Sequence, residues 1–357
     1  MKFSRSLPYT IAFLTLATAR AATPSETLTI YFIDVEGGQS TLLVTPNHES
    51  FLIDTGWPGN GQPDANPGDP TKARDANRIV AAARDAGIKQ IDYLMLTHFH
   101  ADHDGGVVEL SQLMPIRHFV DHGGLTAEGQ KDPGMTEPFD RYVAVRNKGL
   151  HIEPKPGDRL PLTGVDAVVV SSDASTITSP LPGAGEANKL CAPSAQPPRD
   201  LDENPRSTGV RVTFGKFSFL DVGDLSGQPL FNLACPKSLI GPVDVYLVAH
   251  HGGPDVADPA TFSAFKPRVA IMNNGVKKGG AQTTYQALHH VAGLEDVWQL
   301  HKSDAAGDSN FPAERVANLD ESTAFWIKLT AAKDGSFHVV NARTHEEQAY
   351  GAHVAPR

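Results

Sequence analysis

The feature that most constrains this chain is the run 94–106. An apolar segment, Leu94-Met95-Leu96-Thr97, passes straight into His98, His100, Asp102 and His103 and closes on Gly105-Gly106. In extended chain, side chains alternate, so His98 and His100 point to one side. Asp102 and His103 follow at the turn into an expected helix and face a second point close to the first. Imidazole nitrogens and carboxylate oxygens are the ligands that zinc, iron and manganese take. The other ligands must then come from other strand ends.

The chain has 357 residues, 40% hydrophobic and 20% charged, the balance of a folded globular protein. Lys2 and Arg5 precede the apolar stretch 11–17, and Ala19-Arg20-Ala21 fits a small-x-small cleavage site. This pattern predicts a secretory signal peptide at 1–21 and a single catalytic domain over 22–357. The mature protein is then secreted or periplasmic, and no other stretch is expected to span a membrane. Cleavage removes Lys2, Arg5 and Arg20 and no acidic group, so the net charge of −10 becomes −13. Such a surface repels polyanions, which makes long nucleic acid an unlikely partner and a small molecule the expected substrate. Cys191 and Cys235 are the only cysteines, and export favours their pairing.

Strands are expected at 28–35, 40–45 and 50–54, a meander turned by Gly37-Gly38 and Pro46-Asn47. The span 75–86 has helical spacing and stops at Gly87. A strand at 91–97 delivers the histidines, followed by a helix at 107–113 and a strand at 116–120. A helix is expected at 142–147, a strand at 165–170, and a long aperiodic loop at 171–206. Strands at 209–214 and 217–222 form a hairpin, and further strands lie at 243–249, 269–272 and 297–300, with a helix at 284–291. The hairpin 325–340 turns at Asp334-Gly335. Periodicity alone supports an α/β or α+β class.

His98-x-His100-x-Asp102-His103 after a hydrophobic strand resembles the signature of the metallo-β-lactamase-fold superfamily. The resemblance implies a four-layer αββα sandwich with a metal site on one edge. It extends to Gly223-Asp224, which matches a bridging aspartate, and to His250, which matches a late strand-end histidine. It therefore implies that one metal takes His98 and His100, a second takes Asp102, His103 and His250, and Asp224 bridges. A water between two such ions is acidified and hydroxide-like near neutral pH. Asp54 is expected to orient a ligand from behind. Zinc is the expected metal, one or two ions per chain, with manganese or iron as alternatives. Most members carry a further histidine between the first motif and the Gly-Asp pair. Here no histidine lies between His151 and His250; His122 and His151 stand upstream of the expected place and Asn204 near it.

The segments Phe32-Ile33-Asp34-Val35, Leu52-Ile53-Asp54-Thr55-Gly56 and Val248-Ala249-His250-His251-Gly252-Gly253, with the motif itself, are similar to the hydrolase domain of ComEC-type competence proteins. No multi-span channel segment is seen, so DNA uptake as such is not expected. The resemblance implies a metal-dependent hydrolase, most readily of a small phosphodiester, with Asp102 and His251 at the chemistry. His251, His122, Lys277 and Lys278 are the candidate positive charges for phosphoryl oxygens. Hydrolysis of a lactone, thioester or β-lactam, or a degenerate non-catalytic metal-binding domain, are the alternatives. Asp224 argues against a β-lactamase, where Cys or His usually stands at that place.

Overall fold

The computed structural model describes residues 26–62, 64–191, 197 and 202–352. The expected signal at 1–21 lies outside them, as does part of the expected loop at 171–206. Two sheets organise the described residues. The first runs, edge to edge, Glu347–Tyr350, Phe337–Asn341, Ile327–Ala332, Thr27–Phe32, Thr41–Val44, Ser50–Ile53, Ile91–Met95, Ile116–Val120 and Leu150–Ile152. The second runs Val316–Asn318, Asp296–His301, Val269–Met272, Val245–Leu247, Phe217–Asp221, Gly209–Phe214, Asp166–Ser172 and Arg159–Leu160, with Ser175–Thr176 paired to Asp166–Ser172.

The alternation of the strands decides the layers. Ile30, Phe32, Leu43, Phe51 and Ile53 of the first sheet meet Val210, Val212, Phe219, Leu247 and Trp298 of the second in one buried interior. Their sequence neighbours point outward. Tyr31, Leu42, Leu52 and Leu94 pack under the helices Arg74–Asp85, Val107–Leu113 and Pro133–Arg146. Leu220, Tyr246 and Ala270 pack under Gly227–Ala234, Pro259–Phe265 and Gln282–Leu288. Both faces of each sheet are therefore buried, and the order is helix, sheet, sheet, helix. This is the expected α/β (α+β) four-layer αββα sandwich.

The fold gathers strand ends at one edge. Ser50–Ile53, Ile91–Met95 and Ile116–Val120 are mutually parallel, as are Phe217–Asp221, Val245–Leu247, Val269–Met272 and Asp296–His301. Carboxyl ends of parallel strands are where loops converge on a site. The two sheets are stitched there: Gln39 Nε2 donates to both carboxylate oxygens of Asp221 at 3.0 and 3.1 Å, and Asn273 Nδ2 donates to Gln39 Oε1 at 3.2 Å.

Some elements differ from the sequence expectation. The helix expected at 142–147 begins nine residues earlier, at Pro133, capped by Asp132, whose side chain accepts from Gly134 N. Proline is compatible with a helix's first turn, where its missing N–H costs nothing. Gly227–Ala234, Pro259–Phe265 and Val316–Asn318 have no counterpart in the sequence reading. The first strand of the chain pairs with Ile327–Ala332, so the last hairpin returns to the first sheet. Cys191 and Cys235 are disulfide-bonded, with Cα atoms 5.7 Å apart. No helix among the described residues is long and apolar enough to cross a membrane.

Candidate metal centre

Asp54 ends the strand Ser50–Ile53 and turns with φ 60°. Its carboxylate accepts from Thr97 N at 2.7 Å and Thr97 Oγ1 at 2.8 Å, which pins the start of the histidine loop. The other role is behind a ligand: His103 Nδ1 lies 2.7 Å from Asp54 Oδ2. That contact holds the Nδ1 proton and leaves Nε2 with a lone pair, the arrangement found behind metal-binding histidines. Burial pushes the Asp54 carboxyl up, and the neighbouring His103 pulls it the other way.

Asp102 and His103 sit on the short helix Ala101–Asp104 directly after the loop. Asp224 follows Gly223, whose φ is 55° and where a Cβ would come within 2.7 Å of the Thr97 side chain. Glycine at 223 therefore lets the two strand ends close on each other. His103 Nε2 is 3.2 Å from both Asp102 Oδ2 and Asp224 Oδ2. His251 Nε2 is 3.1 Å from Asp102 Oδ2 and 3.2 Å from Asp224 Oδ2. Asp102, His103, Asp224 and His251 thus place one ligand atom each within 4.8 Å of one another, and all four residues are buried. Two carboxylates and two imidazoles at this spacing fit one divalent cation. Asp224 Oδ1 is buried without a hydrogen-bond partner, a second sign that this carboxylate is meant for an ion.

Without the ion the charges settle on one another. Burial opposes charge at His103, but Asp224, Asp102 and Asp54 outweigh it and raise its pKa well above the usual imidazole value. Burial likewise opposes charge at Asp102 and Asp224, yet the facing histidines hold both well below the carboxylate range, Lys278 adding to the effect at Asp102. His98 is driven down by burial and by its histidine neighbours.

His98 and His100 lie alongside. His98 Nε2 is 3.0 Å from His100 Nδ1 and 4.0 Å from Asp224 Oδ2. The two nitrogens face one point, as the alternation of extended chain predicts.

The late histidines depart from the expectation. The resemblance gave His250 to the second metal and left His251 as a charge donor. His251 lies in the buried cluster instead, and His250 stands farther off, with Nε2 3.8 Å from Asp224 Oδ2. The cause is local backbone: both residues have positive φ, 47° and 51°. This conformation costs a non-glycine residue about 1–2 kcal/mol, and such strain concentrates at functional sites.

The other candidate donors separate cleanly. His122 is not at the cluster: it is buried against Phe99, with Nε2 3.1 Å from Glu203 Oε2. His151 pairs with Asp121 at 3.0 Å, beside Tyr142 and Arg146. Lys277 is exposed and pairs with Glu321 at 3.2 Å. Lys278 is the lysine that reaches the centre: its ammonium donates to Asp102 Oδ2 and lies 4.9 Å over the Trp57 ring. Its loop is fastened to the late histidines, since Gly280 N donates to His251 O at 2.7 Å. Sequence reading missed two carboxylates behind the outer histidines. Asp255 Oδ2 is 2.8 Å from His250 Nδ1, and Asp202 Oδ1 is 3.4 Å from His100 Nε2. The requirement for a partner behind each ligating imidazole was the signal that could have found them.

Residues 34–185 match the family model described as the metallo-beta-lactamase superfamily. The chain is 23% identical over 262 residues to "Competence protein ComA" of Neisseria gonorrhoeae, which covers 71% of this chain and 28% of that protein. It thus spans under a third of that relative's length. Among solved structures it is similar to the metallo-beta-lactamase fold protein YhfI of Bacillus subtilis, at 11% identity and TM-score 0.43, covering 76% of this chain and 95% of that one. It is also similar to CmlA, a diiron beta-hydroxylase from Streptomyces venezuelae, at 17% identity and TM-score 0.37, covering 71% and 46%. The match at residues 34–185 takes in the strand end at Asp54 and the 98–103 motif, so that part of the chain is similar to the metallo-beta-lactamase superfamily.

Proposed function

We propose that this chain is an exported, zinc-dependent hydrolase that cleaves a small phosphodiester. The observation that carries the reading is the buried quartet Asp102, His103, Asp224 and His251, with His98 Nε2 4.0 Å from Asp224 Oδ2 and 3.0 Å from His100 Nδ1. The donor set is nitrogen and oxygen without thiolate, which suits zinc and also admits manganese or iron. Asp102, His103, Asp224 and His251 would hold a divalent ion, which when bound would supply an acidified water and charge stabilisation for displacement at phosphorus.

The chain's own groups do the rest. Asp224 lies between the two sets of histidines and holds them to one separation. Asp54 keeps His103 in the tautomer whose Nε2 faces the cluster. Asp102 and Asp224 add negative charge that makes the centre selective for cations. The Lys278 ammonium, held at Asp102 and over the Trp57 face, would supply a positive charge for a phosphoryl oxygen. The acidic surface favours a compact substrate over a long polyanion. The amino-terminal pattern supports export, and N-terminal sequencing of secreted protein should begin near Ala22.

The test is a comparison of bis-p-nitrophenyl phosphate, a chromogenic lactone and a cephalosporin, with zinc or manganese added. Turnover of the phosphodiester, abolished in Asp102→Ala, is expected. Turnover of the lactone or cephalosporin alone would remove the protein from the phosphodiesterases.

A further inference from the structure

A cavity lies at the opposite end of the second sheet from the metal centre. The strand Phe217–Asp221 runs towards that centre, and Asp224 follows shortly after it. Ser218 at its start, Thr213 on the antiparallel partner and the turn at Gly215-Lys216 therefore mark the far end. There the outer face of the sheet forms a cavity of about 510 Å³, floored by Val168, Arg211 and Thr213 and walled by Ile177, Pro180 and Leu181. Alternation sets the floor. Val169, Val210 and Val212 point into the interior between the sheets, so Arg211 and Val168, paired across two strands, point out. The wall is fastened at both ends, by Ile177 N donating to Val170 O at 3.0 Å and Leu181 N donating to Leu239 O at 2.9 Å.

We propose that this cavity binds a small organic carboxylate, with Arg211 as its counter-ion. Arg211 is partly buried and makes no hydrogen bond or ion pair among the described residues, and its Nε is buried without a partner. The nearby carboxylates are taken by other arginines. Arg159 Nε is 2.8 Å from Asp166 Oδ1, and Arg268 Nη1 is 3.1 Å from Asp244 Oδ1, whose other oxygen accepts from Ser218 N at 2.8 Å. A guanidinium stays charged at any ordinary pH, so its burial without a partner carries a cost that a bound anion offsets. The planar fork suits a carboxylate, which it engages through two parallel hydrogen bonds. Asp166 and Asp244 act on Arg211 through space, and their negative field disfavours a doubly charged anion such as a phosphate monoester. Val168, Pro180 and Leu181 offer apolar contact to the body of the ligand. The cavity shares no residue with the metal centre, so it is independent of what that centre hydrolyses.

Hexanoate is the probe, with hexanol and inorganic phosphate as controls, in titration calorimetry of the full chain before and after metal removal by chelation. Hexanoate should bind at a single site, and neither control should compete for it. Arg211→Met should weaken hexanoate by about 10- to 100-fold, the loss of a bidentate charge-assisted pair. Arg211→Met keeps an apolar stem and removes an unpaired charge, so its melting temperature should equal or exceed that of wild type. Arg211→Lys, which keeps the charge without the fork, should bind with intermediate affinity and carries the test if Arg211→Met does not fold. Asp102→Ala and the chelated protein should bind hexanoate as wild type does, which separates this site from carboxylate bound at a metal. Wild type that binds no hexanoate, or Arg211 variants that bind it as tightly as wild type, overturns the proposal. Binding that disappears on chelation, or that prefers phosphate to hexanoate, overturns it as well.

Discussion

The two halves of the centre differ in how they are closed. The position at Asp102, His103, Asp224 and His251 is sealed: every donor is buried and Asp54, itself buried, backs His103. The side at His98, His100 and His250 is a rim: His98 is buried, but the side chains of His100 and His250 are 29% and 28% exposed, and the carboxylates beside them, Asp202 and Asp255, are 56% and 42% exposed. A charge pair in low dielectric is stronger than one at the surface, where water screens it. The sealed position should therefore bind first and exchange slowly, and the rim position second and fast.

The comparison is broken most severely at the residue both halves share. Asp224→Ala should lose both ions, dropping zinc content close to zero by elemental analysis, whereas Asn204→Ala should lose little. Equal losses would mean the halves do not share this carboxylate.

A second contrast is pH. In the ion-free protein, protonated His103 contributes stability that is fully present below its usual value of 6.5 and lost as pH rises through the raised value. Ion binding requires that proton to leave. The gain in Tm on zinc addition should therefore widen from about pH 6 to about pH 8, measured by calorimetry with and without zinc. A gap that narrows with rising pH would contradict the charge assignment at the sealed position.

The disulfide sharpens the difference on the rim side. Cys191–Cys235 closes a 44-residue separation that contains the segment bearing Asp202 and Asn204. Its reduction should cost about 2–4 kcal/mol of stability and weaken the rim ion more than the sealed one. Thermal melts and zinc titrations with and without reductant read both effects. A smaller effect is expected at Lys278→Met: turnover of a phosphodiester should fall by about 10- to 100-fold, in line with loss of a single charge-stabilising donor, with zinc content unchanged.

How much of this was legible in the sequence follows from the physics of each element. Strands with strong β-branched and aromatic content, such as Phe337–Asn341, were visible, because alternation and burial reinforce each other there. Helices that begin with Pro, such as Pro133–Arg146 and Pro259–Phe265, were missed or shortened, since proline reads as a break although it suits a first turn. His98, His100, Asp102 and His103 come together as expected, because six residues cannot stray far. That His251 and not His250 lies in the buried cluster was not readable, because both residues have positive φ, which no periodicity reveals. The carboxylates Asp54 and Asp255 show the same limit: one ends a strand and was read, the other sits in a loop and was not.

The central claim is that the sealed position at Asp102, His103, Asp224 and His251 fills before any position on the His98 side. Crystals grown with one and then two equivalents of zinc, with anomalous difference maps at the zinc edge, test it directly. The account predicts that the first peak lies among Asp102, His103, Asp224 and His251 and that any second peak lies on the His98 and His100 side. A first peak between His98 and His100 would contradict it.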